Sequence, residues 1–217
     1  MFIGHFALGF TSKKFSKTLS LGTSFLAVQF LDLLWPFFLI FGWERVEIDQ
    51  GNTAYTPLDF VSYPISHSMI TSLLWGLIFG LIYFRIKKEK SNSILLGVLV
   101  FSHWILDFLT HRPDLPITPW GDYKVGLGLW NSIPATVIIE SILFIIGIYY
   151  FLKISKPQGS KSWVVILGLV AFLIIINIVN ITSPPPPSPE VIGYAGFAQW
   201  LLVFWGYWID KQRFEEN

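Results

Sequence analysis

The chain of 217 residues contains no cysteine and little charge. The absence of cysteine excludes disulfides, thiol nucleophiles, zinc held by cysteine and iron–sulfur clusters. Charged residues make up only 13% of the chain, about half the ~25% that is usual for soluble domains. The formal net charge is +1, without the clustered basic excess of nucleic-acid-binding proteins, so a nucleic-acid partner is not expected.

Apolar residues take the place of the missing charge. Hydrophobic residues make up 53% of the chain and aromatic residues 18%, more than a soluble domain of this size could bury. Six stretches approach or reach the ~20 residues that cross a hydrocarbon core. We therefore predict one integral membrane domain, residues 1–217, folded as an all-α polytopic bundle of about six transmembrane helices. The predicted spans are 20–42, 66–85, 93–110, 132–152, 163–183 and 191–209.

The N-terminal segment and the basic residues predict the topology. MFIGHFALGF is too short to cross a bilayer, and its lysines follow the apolar run, so we expect a short half-helix that returns into the bundle. Lys and Arg cluster before the first span and after the second, fourth and sixth spans. The positive-inside rule then predicts a multi-pass protein of the inner (plasma) membrane with both termini in the cytoplasm. The longer loops 43–65 and 111–131 would lie outside.

Polar residues inside the predicted spans are the functional candidates. An intramembrane carboxylate costs ~2.5–3.5 kcal/mol or more and is retained mostly for function. His103, Asp107 and His111 are spaced i, i+4, i+8, which would put them on one face of a helix. A His and an Asp one turn apart commonly give two ligands to one metal ion. The full set of candidates comprises His5, Asp32, His67, His103, Asp107, His111 and Glu140.

The depth of these residues in the membrane favours a shared site. A helix rises ~1.5 Å per residue, which gives the height of each candidate above the nearest cytoplasmic basic cluster. This height is ~20–25 Å for Asp32, Glu140 and the His103–Asp107 pair, ~27 Å for His67 and ~12 Å for His5. Most of the set thus falls in one layer of the outer half of the bilayer. Separate structural roles are the alternative reading, above all for Glu140, which could bond to Ser141 or Thr136.

Four motifs carry a resemblance to a known family. GHFALGF, LDLLWP, DFVSYPISHS and SHWILDFLTHRPDLP, in the first two thirds of the chain, resemble the YdjM-like family of membrane-bound metal-dependent hydrolases. The order His, Asp, His, HxxxD is also similar to that of zinc-dependent phospholipases C. This likeness implies a first metal on Asp32, His67, His103 and Asp107, and a second with His5, bridged by Asp107. His111 and Glu140 would hold a third, but Thr136 stands where the phospholipase pattern has a His.

These observations predict a hydrolase whose divalent metal activates a water. Zinc is the first choice, and Mn²⁺ or Fe²⁺ suits the same ligands. Asp107 and Glu140 are the catalytic candidates, and Arg112 and Lys124 could contact a substrate phosphate. A site at this depth favours a membrane lipid or lipid-linked substrate, with a phosphoester as first choice. Two alternatives remain, namely a transporter that uses the same residues for ions or protons and a non-catalytic protein with a structural metal. The sequence leaves the oligomeric state open.

Overall fold

The computed structural model describes residues 1–215, and the described chain is mostly helical. Three antiparallel two-stranded sheets lie in the connections: β1 (Arg45–Ile48) with β2 (Leu58–Ser62), β3 (Leu115–Pro116) with β4 (Lys124–Val125), and β5 (Ser155–Pro157) with β6 (Arg213–Glu215). The all-α prediction did not include these three small sheets. The α-helices are α1 (Ile3–Thr11), α2 (Leu21–Val28), α3 (Phe30–Ile40), α4 (Pro64–His67), α5 (Met69–Lys87), α6 (Lys90–Thr110), α7 (Ile133–Ile154), α8 (Ser160–Thr182), α9 (Pro189–Gly196) and α10 (Gln199–Asp210).

Four of the described helices, α5 to α8, are long and apolar enough to cross a membrane. The pair α2 and α3 adds a fifth if it counts as one span, although it bends by 51° at Gln29. The predicted count of six is therefore not confirmed. The predicted span 191–209 is divided into α9 and α10, which are 8 and 12 residues long. Gly196, where α9 ends, packs against the ring of Pro36.

Serine side chains define where several helices begin. Ser20, Ser68 and Ser132 precede α2, α5 and α7, and each hydroxyl accepts a hydrogen bond from the backbone N–H three residues on. Such caps satisfy one of the N–H groups that the first turn of a helix leaves unpaired. The caps fix the start of α5, which comes shortly after His67, and the start of α2, which leads into α3 and Asp32.

The short helix α1 lies inside the bundle, as the sequence predicted. Seven of its nine residues are buried, including His5, Phe6 and Phe10. It packs on α7 at Gly147, where an added Cβ would lie 2.4 Å from the carbonyl oxygen of Ala7. A small residue lets the two backbones approach closely, as is common between helices in membranes. The outward faces of α5, α7 and α8 expose Leu, Ile and Val side chains, which suits contact with lipid.

Candidate metal centre

Four helices bring five of the predicted site residues together. His5 comes from α1, Asp32 from the first turn of α3, His67 from the end of α4, and His103 and Asp107 from neighbouring turns of α6. The bend between α2 and α3 and the break between α4 and α5 place Asp32 and His67 beside α6. The three histidines and Asp107 are buried, whereas 27% of the Asp32 side chain is exposed.

The five residues form two overlapping groups whose spacing could hold a metal ion. His5, His103 and Asp107 make up one group, Asp32, His67 and His103 the other, and in each the potential ligand atoms lie within 4.8 Å of one another. Asp107 faces both groups, with Oδ1 3.1 Å from Nε2 of His5 and Oδ2 3.2 Å from Nε2 of His103. The rings of His5 and His103 stack with centroids 3.6 Å apart.

The second group has a similar spacing. Oδ1 of Asp32 lies 3.3 Å from Nε2 of His67 and 3.5 Å from Nε2 of His103. Nε2 of His67 is also 3.9 Å from Oδ2 of Asp107. Two imidazoles and two carboxylates thus surround one small volume, and this donor set suits zinc.

His103 points its free nitrogen into this volume. Its Nδ1 donates to the carbonyl of Val28 at 2.7 Å, at the end of α2, where carbonyl groups lack partners within the helix. Because the carbonyl can only accept, Nδ1 carries a proton, and Nε2 is the nitrogen that faces the site. That Nε2 makes no hydrogen bond among the described residues, although two carboxylates lie within 3.5 Å. A buried unpaired nitrogen in this position fits a metal ligand.

His67 is oriented in the same way by a chain of hydrogen bonds. Nδ1 of His67 lies 2.6 Å from Oγ of Ser66, which donates to Oε2 of Glu44 at 2.6 Å. Oε1 of Glu44 accepts the N–H groups of Ile65 and Ser66. Burial raises the pKa of the Glu44 carboxyl, against the lowering effect of the Ser66 hydrogen bond. The sequence reasoning missed this support, although Ser66 stands directly before His67 in the DFVSYPISHS motif.

The two groups cannot both hold an ion through His103. Its Nδ1 is engaged with the carbonyl of Val28, so only Nε2 remains as a ligand, and one lone pair binds one ion. The geometry therefore suits one ion with three or more ligands better than two complete sites. The terminal amino group of Met1 also reaches the cluster, 2.7 Å from Oδ1 of Asp107, a contact that no pattern in the sequence indicated.

Glu140 lies next to the cluster but contacts the backbone of α1. Its Oε2 accepts the N–H groups of Phe2 and Gly4, each at 3.1 Å, and its Oε1 is 3.3 Å from the N–H of Phe2. A carboxylate at the start of a helix satisfies unpaired N–H groups and interacts favourably with the helix dipole. The contacts of Glu140 thus hold α1, and with it His5, against α7.

His111 lies outside both groups. Helix α6 ends at Thr110, and His111 follows in an extended conformation, so it does not continue the face of His103 and Asp107. Its Nδ1 lies 2.9 Å from Oδ1 of Asp114 and 3.2 Å from the hydroxyl of Tyr63. Burial raises the pKa of Tyr63 well above its ordinary value, and Asp114 raises it further.

Arg112 and Lys124 line a separate cavity of about 440 Å³ outside the cluster. Arg112 donates to Asp59 and, at 3.2 Å, to Oδ2 of Asp114, while Lys124 donates to the carbonyl of Val61 at 2.9 Å. Burial lowers the pKa of Arg112, but these carboxylates raise it above its ordinary value overall. Both predicted phosphate contacts already have partners within the protein.

A larger cavity of about 660 Å³ opens onto the cluster. Asp32, His67 and Asp107 line one part of it, and apolar residues of α8, α9 and α10 line another. Its size lies within the range of small-molecule sites, which combine apolar walls with a few polar groups.

Together, the fold and the cluster define a multi-pass helical membrane protein with a buried His/Asp site beside an apolar cavity. The family model of the YdjM inner membrane protein matches residues 48–183, more than half of the chain. The chain belongs to this family. His67, His103 and Asp107 lie within the matched region, whereas His5 and Asp32 precede it. No curated protein and no solved structure matches the chain.

Proposed function

We propose that the protein is a membrane-embedded hydrolase that uses a divalent metal, zinc as first choice, to cleave an ester or phosphoester of a lipid-linked substrate. The observation that carries this proposal is the unpartnered Nε2 of His103, which lies within 3.5 Å of both Asp32 and Asp107. A His nitrogen held among carboxylate oxygens, with its other nitrogen fixed by a carbonyl, is typical of a ligand prepared for a metal.

The chain's own residues hold the ion and the substrate in place. Asp32, His67, His103 and Asp107 supply ligands, and His5 adds one from α1. When bound, the ion supplies a Lewis acid for the scissile bond and lowers the pKa of a water. The supporting contacts from Val28, Ser66 and Glu44 fix which imidazole nitrogen faces the site. Asp107 is the proposed catalytic residue among the ligands, because its two oxygens face both groups.

The cavity supports a lipid as the substrate. Its apolar walls belong to helices of a membrane protein, so a lipid could enter by lateral diffusion. A cavity of low polarity also strengthens the electrostatic attraction between a bound ion and a substrate oxygen. The distribution of Lys and Arg supports cytoplasmic termini and a site in the outer half of the membrane. The net charge of +1 supports a lipid over a nucleic-acid partner.

Metal analysis of the purified full chain tests the metal site. We expect bound zinc in the wild-type protein and its loss in His103→Ala and Asp107→Ala. Residues that act as a unit lose function non-additively, so removing both should cost little more than removing one. Asn177→Ala is the control, because Asn177 is a buried polar residue of α8 that binds Tyr55. Equal zinc in all variants would refute the metal site.

Lipid analysis tests the reaction. The protein is incubated with zinc in vesicles of mixed lipids, and the lipids are then analysed by mass spectrometry. We expect one lipid class to be consumed, and no consumption with a chelator or with Asp107→Ala. If zinc binds but no lipid class is consumed, the hydrolase proposal fails.

One observation favours a cation carrier as the second candidate. Helices α2 and α3 meet at a bend of 51°, and discontinuous helices commonly form ion sites in transporters. Gln29 at this bend is buried, and neither atom of its amide has a hydrogen-bond partner among the described residues. Dissipation of a zinc or proton gradient by the vesicles, without lipid consumption, would support this function.

A further inference from the structure

Two indole side chains that line the larger cavity have buried N–H groups without a hydrogen-bond partner among the described residues. Trp35 is 8% exposed and Trp130 is 7% exposed, and both line the 660 Å³ cavity. Neither Nε1 atom makes a hydrogen bond with any described residue. An indole N–H can only donate, so both positions require an acceptor that the described protein does not supply. A buried polar group without a partner calls for a ligand or a water.

Trp35 stands close to the His/Asp cluster, and the ring of Phe60 lies next to both Trp35 and Trp130. Trp35 is one turn beyond Asp32 on α3. The ring of Phe60 packs against both indoles, with centroids 5.6 Å from Trp35 and 6.1 Å from Trp130. Trp130 also lies 4.3 Å from the ring of His111. An acceptor group on a bound molecule could therefore reach an indole while the scissile bond lies near Asp32.

The rest of the cavity is suited to a hydrocarbon chain. Helices α8, α9 and α10 contribute apolar side chains to the wall, such as Phe172, Ile176, Val179, Ile192 and Leu202. Burial of apolar surface is favourable and has no directional requirement, so this wall selects chain length and shape more than chemistry. Polar groups at one end and an apolar wall at the other match a molecule with a polar head and an acyl chain.

Charge selects among such molecules. No described residue on the cavity wall is Lys or Arg. The amino group of Met1 reaches the wall but is paired with Asp107 at 2.7 Å. The predicted phosphate contacts, Arg112 and Lys124, line the other cavity. Away from the two carboxylates, which the proposed ion would occupy, the cavity wall offers a head group two neutral indoles and no cationic side chain of the described chain. Neutral N–H donors suit an uncharged carboxylic ester better.

We infer that the larger cavity binds an uncharged acylglycerol, with its ester end beside Asp32 and the indoles of Trp35 and Trp130 and its acyl chain against α8–α10. This substrate class rests on the proposed hydrolase function and replaces the phosphoester as first choice. Hydrolysis of the ester joins the oxygen of a water to the acyl carbon and breaks the bond between that carbon and the alkoxy oxygen. The alkoxy oxygen takes a proton from the water, and the products are a fatty acid and an alcohol.

Binding is tested apart from hydrolysis. The full chain is purified in detergent, stripped of metal with a chelator and titrated with dioleoylglycerol, which native mass spectrometry detects as a bound lipid. Dioleoylphosphatidylglycerol, which is anionic, is titrated in parallel. We expect dioleoylglycerol to bind more tightly. Tighter binding of the anionic lipid would overturn the inference.

Conservative variants locate the site. Trp35→Phe and Trp130→Phe remove the N–H donors and should each weaken dioleoylglycerol binding by roughly 2- to 10-fold, the equivalent of one hydrogen bond. Trp120→Phe is the control, because Trp120 is 80% exposed. Ile176→Trp fills the cavity and should reduce binding, whereas its neighbour Ile175 is 56% exposed and Ile175→Trp should not. Unchanged binding in all cavity variants would refute the site.

A separate measurement distinguishes the two proposals. Zinc is restored, and release of oleic acid from dioleoylglycerol is measured. If the variants change dioleoylglycerol binding as expected but no oleic acid is released, the lipid site is supported and the hydrolase proposal is refuted. If a phospholipid is consumed but dioleoylglycerol does not bind, the hydrolase proposal is supported and the acylglycerol site is refuted.

Discussion

Removal of the Glu140 carboxylate should destabilise the protein through α1. Glu140→Ala leaves the N–H groups of Phe2 and Gly4 without their acceptor. Each buried N–H left unpaired costs about 1–3 kcal/mol, so the variant should lose about 2–6 kcal/mol of stability. For a chain of this size, 1 kcal/mol shifts the melting temperature by about 2–4 °C, which predicts a fall of at least about 4 °C. Thermal unfolding of the detergent-solubilised protein measures this fall in melting temperature.

The same variant separates a positioning role from a catalytic one. Because Glu140 holds α1 and His5 lies on α1, Glu140→Ala should also weaken zinc binding. Glu47→Ala is the control, since Glu47 forms an exposed pair with Arg45, and such pairs contribute little. An unchanged melting temperature together with complete loss of hydrolysis would refute this reasoning and support the catalytic role predicted from the sequence.

Three further predictions follow from single contacts. Ser66→Ala removes the partner of Nδ1 of His67 and should weaken zinc binding by about 10–100-fold in a competition assay with a chromogenic chelator. Gly147→Leu should abolish accumulation of folded protein, as judged by size-exclusion chromatography, because even a Cβ there would lie 2.4 Å from a carbonyl of α1. Cysteines placed at the exposed positions Gln50 and Ser91 should react with an impermeant reagent from opposite faces, and labelling of the second in intact cells would contradict cytoplasmic termini.

Hydrophobic runs predicted most of the membrane helices because they are a local property. The runs at 66–85 and 93–110 correspond to α5 and α6 within a few residues. The last predicted span is interrupted after Gly196, where tertiary packing against Pro36 accompanies the end of α9. Neither average hydropathy nor length registers such a contact, and the count of six is not confirmed by the four or five helices of the described chain that are long and apolar enough to cross.

The residues of the candidate site were more predictable than their individual contacts. His103 and Asp107 are one helical turn apart, so helix geometry alone brought them together. The predicted helical face does not continue to His111, because α6 ends one residue before it. The depth predicted for Glu140 is that of the other candidates, but depth does not tell which way a side chain faces, and Glu140 contacts the backbone at the start of α1. The supporting Ser66 and Glu44 are 22 positions apart, and only the fold brings them into contact.

The contact between α1 and α7 also bears on the order in which the protein matures during synthesis. Chains fold broadly from the N-terminus as they emerge. Asp32, His67, His103 and Asp107 all precede α7, so these four proposed ligands can meet before α7 is made. His5 comes earliest in the chain, yet its helix α1 also packs against Glu140 and Gly147 of α7, which are made later. The first residue of the set to be synthesised would therefore gain its contacts with α7 last, and a metal ion captured by the nascent chain would meet four of the proposed ligands before the fifth.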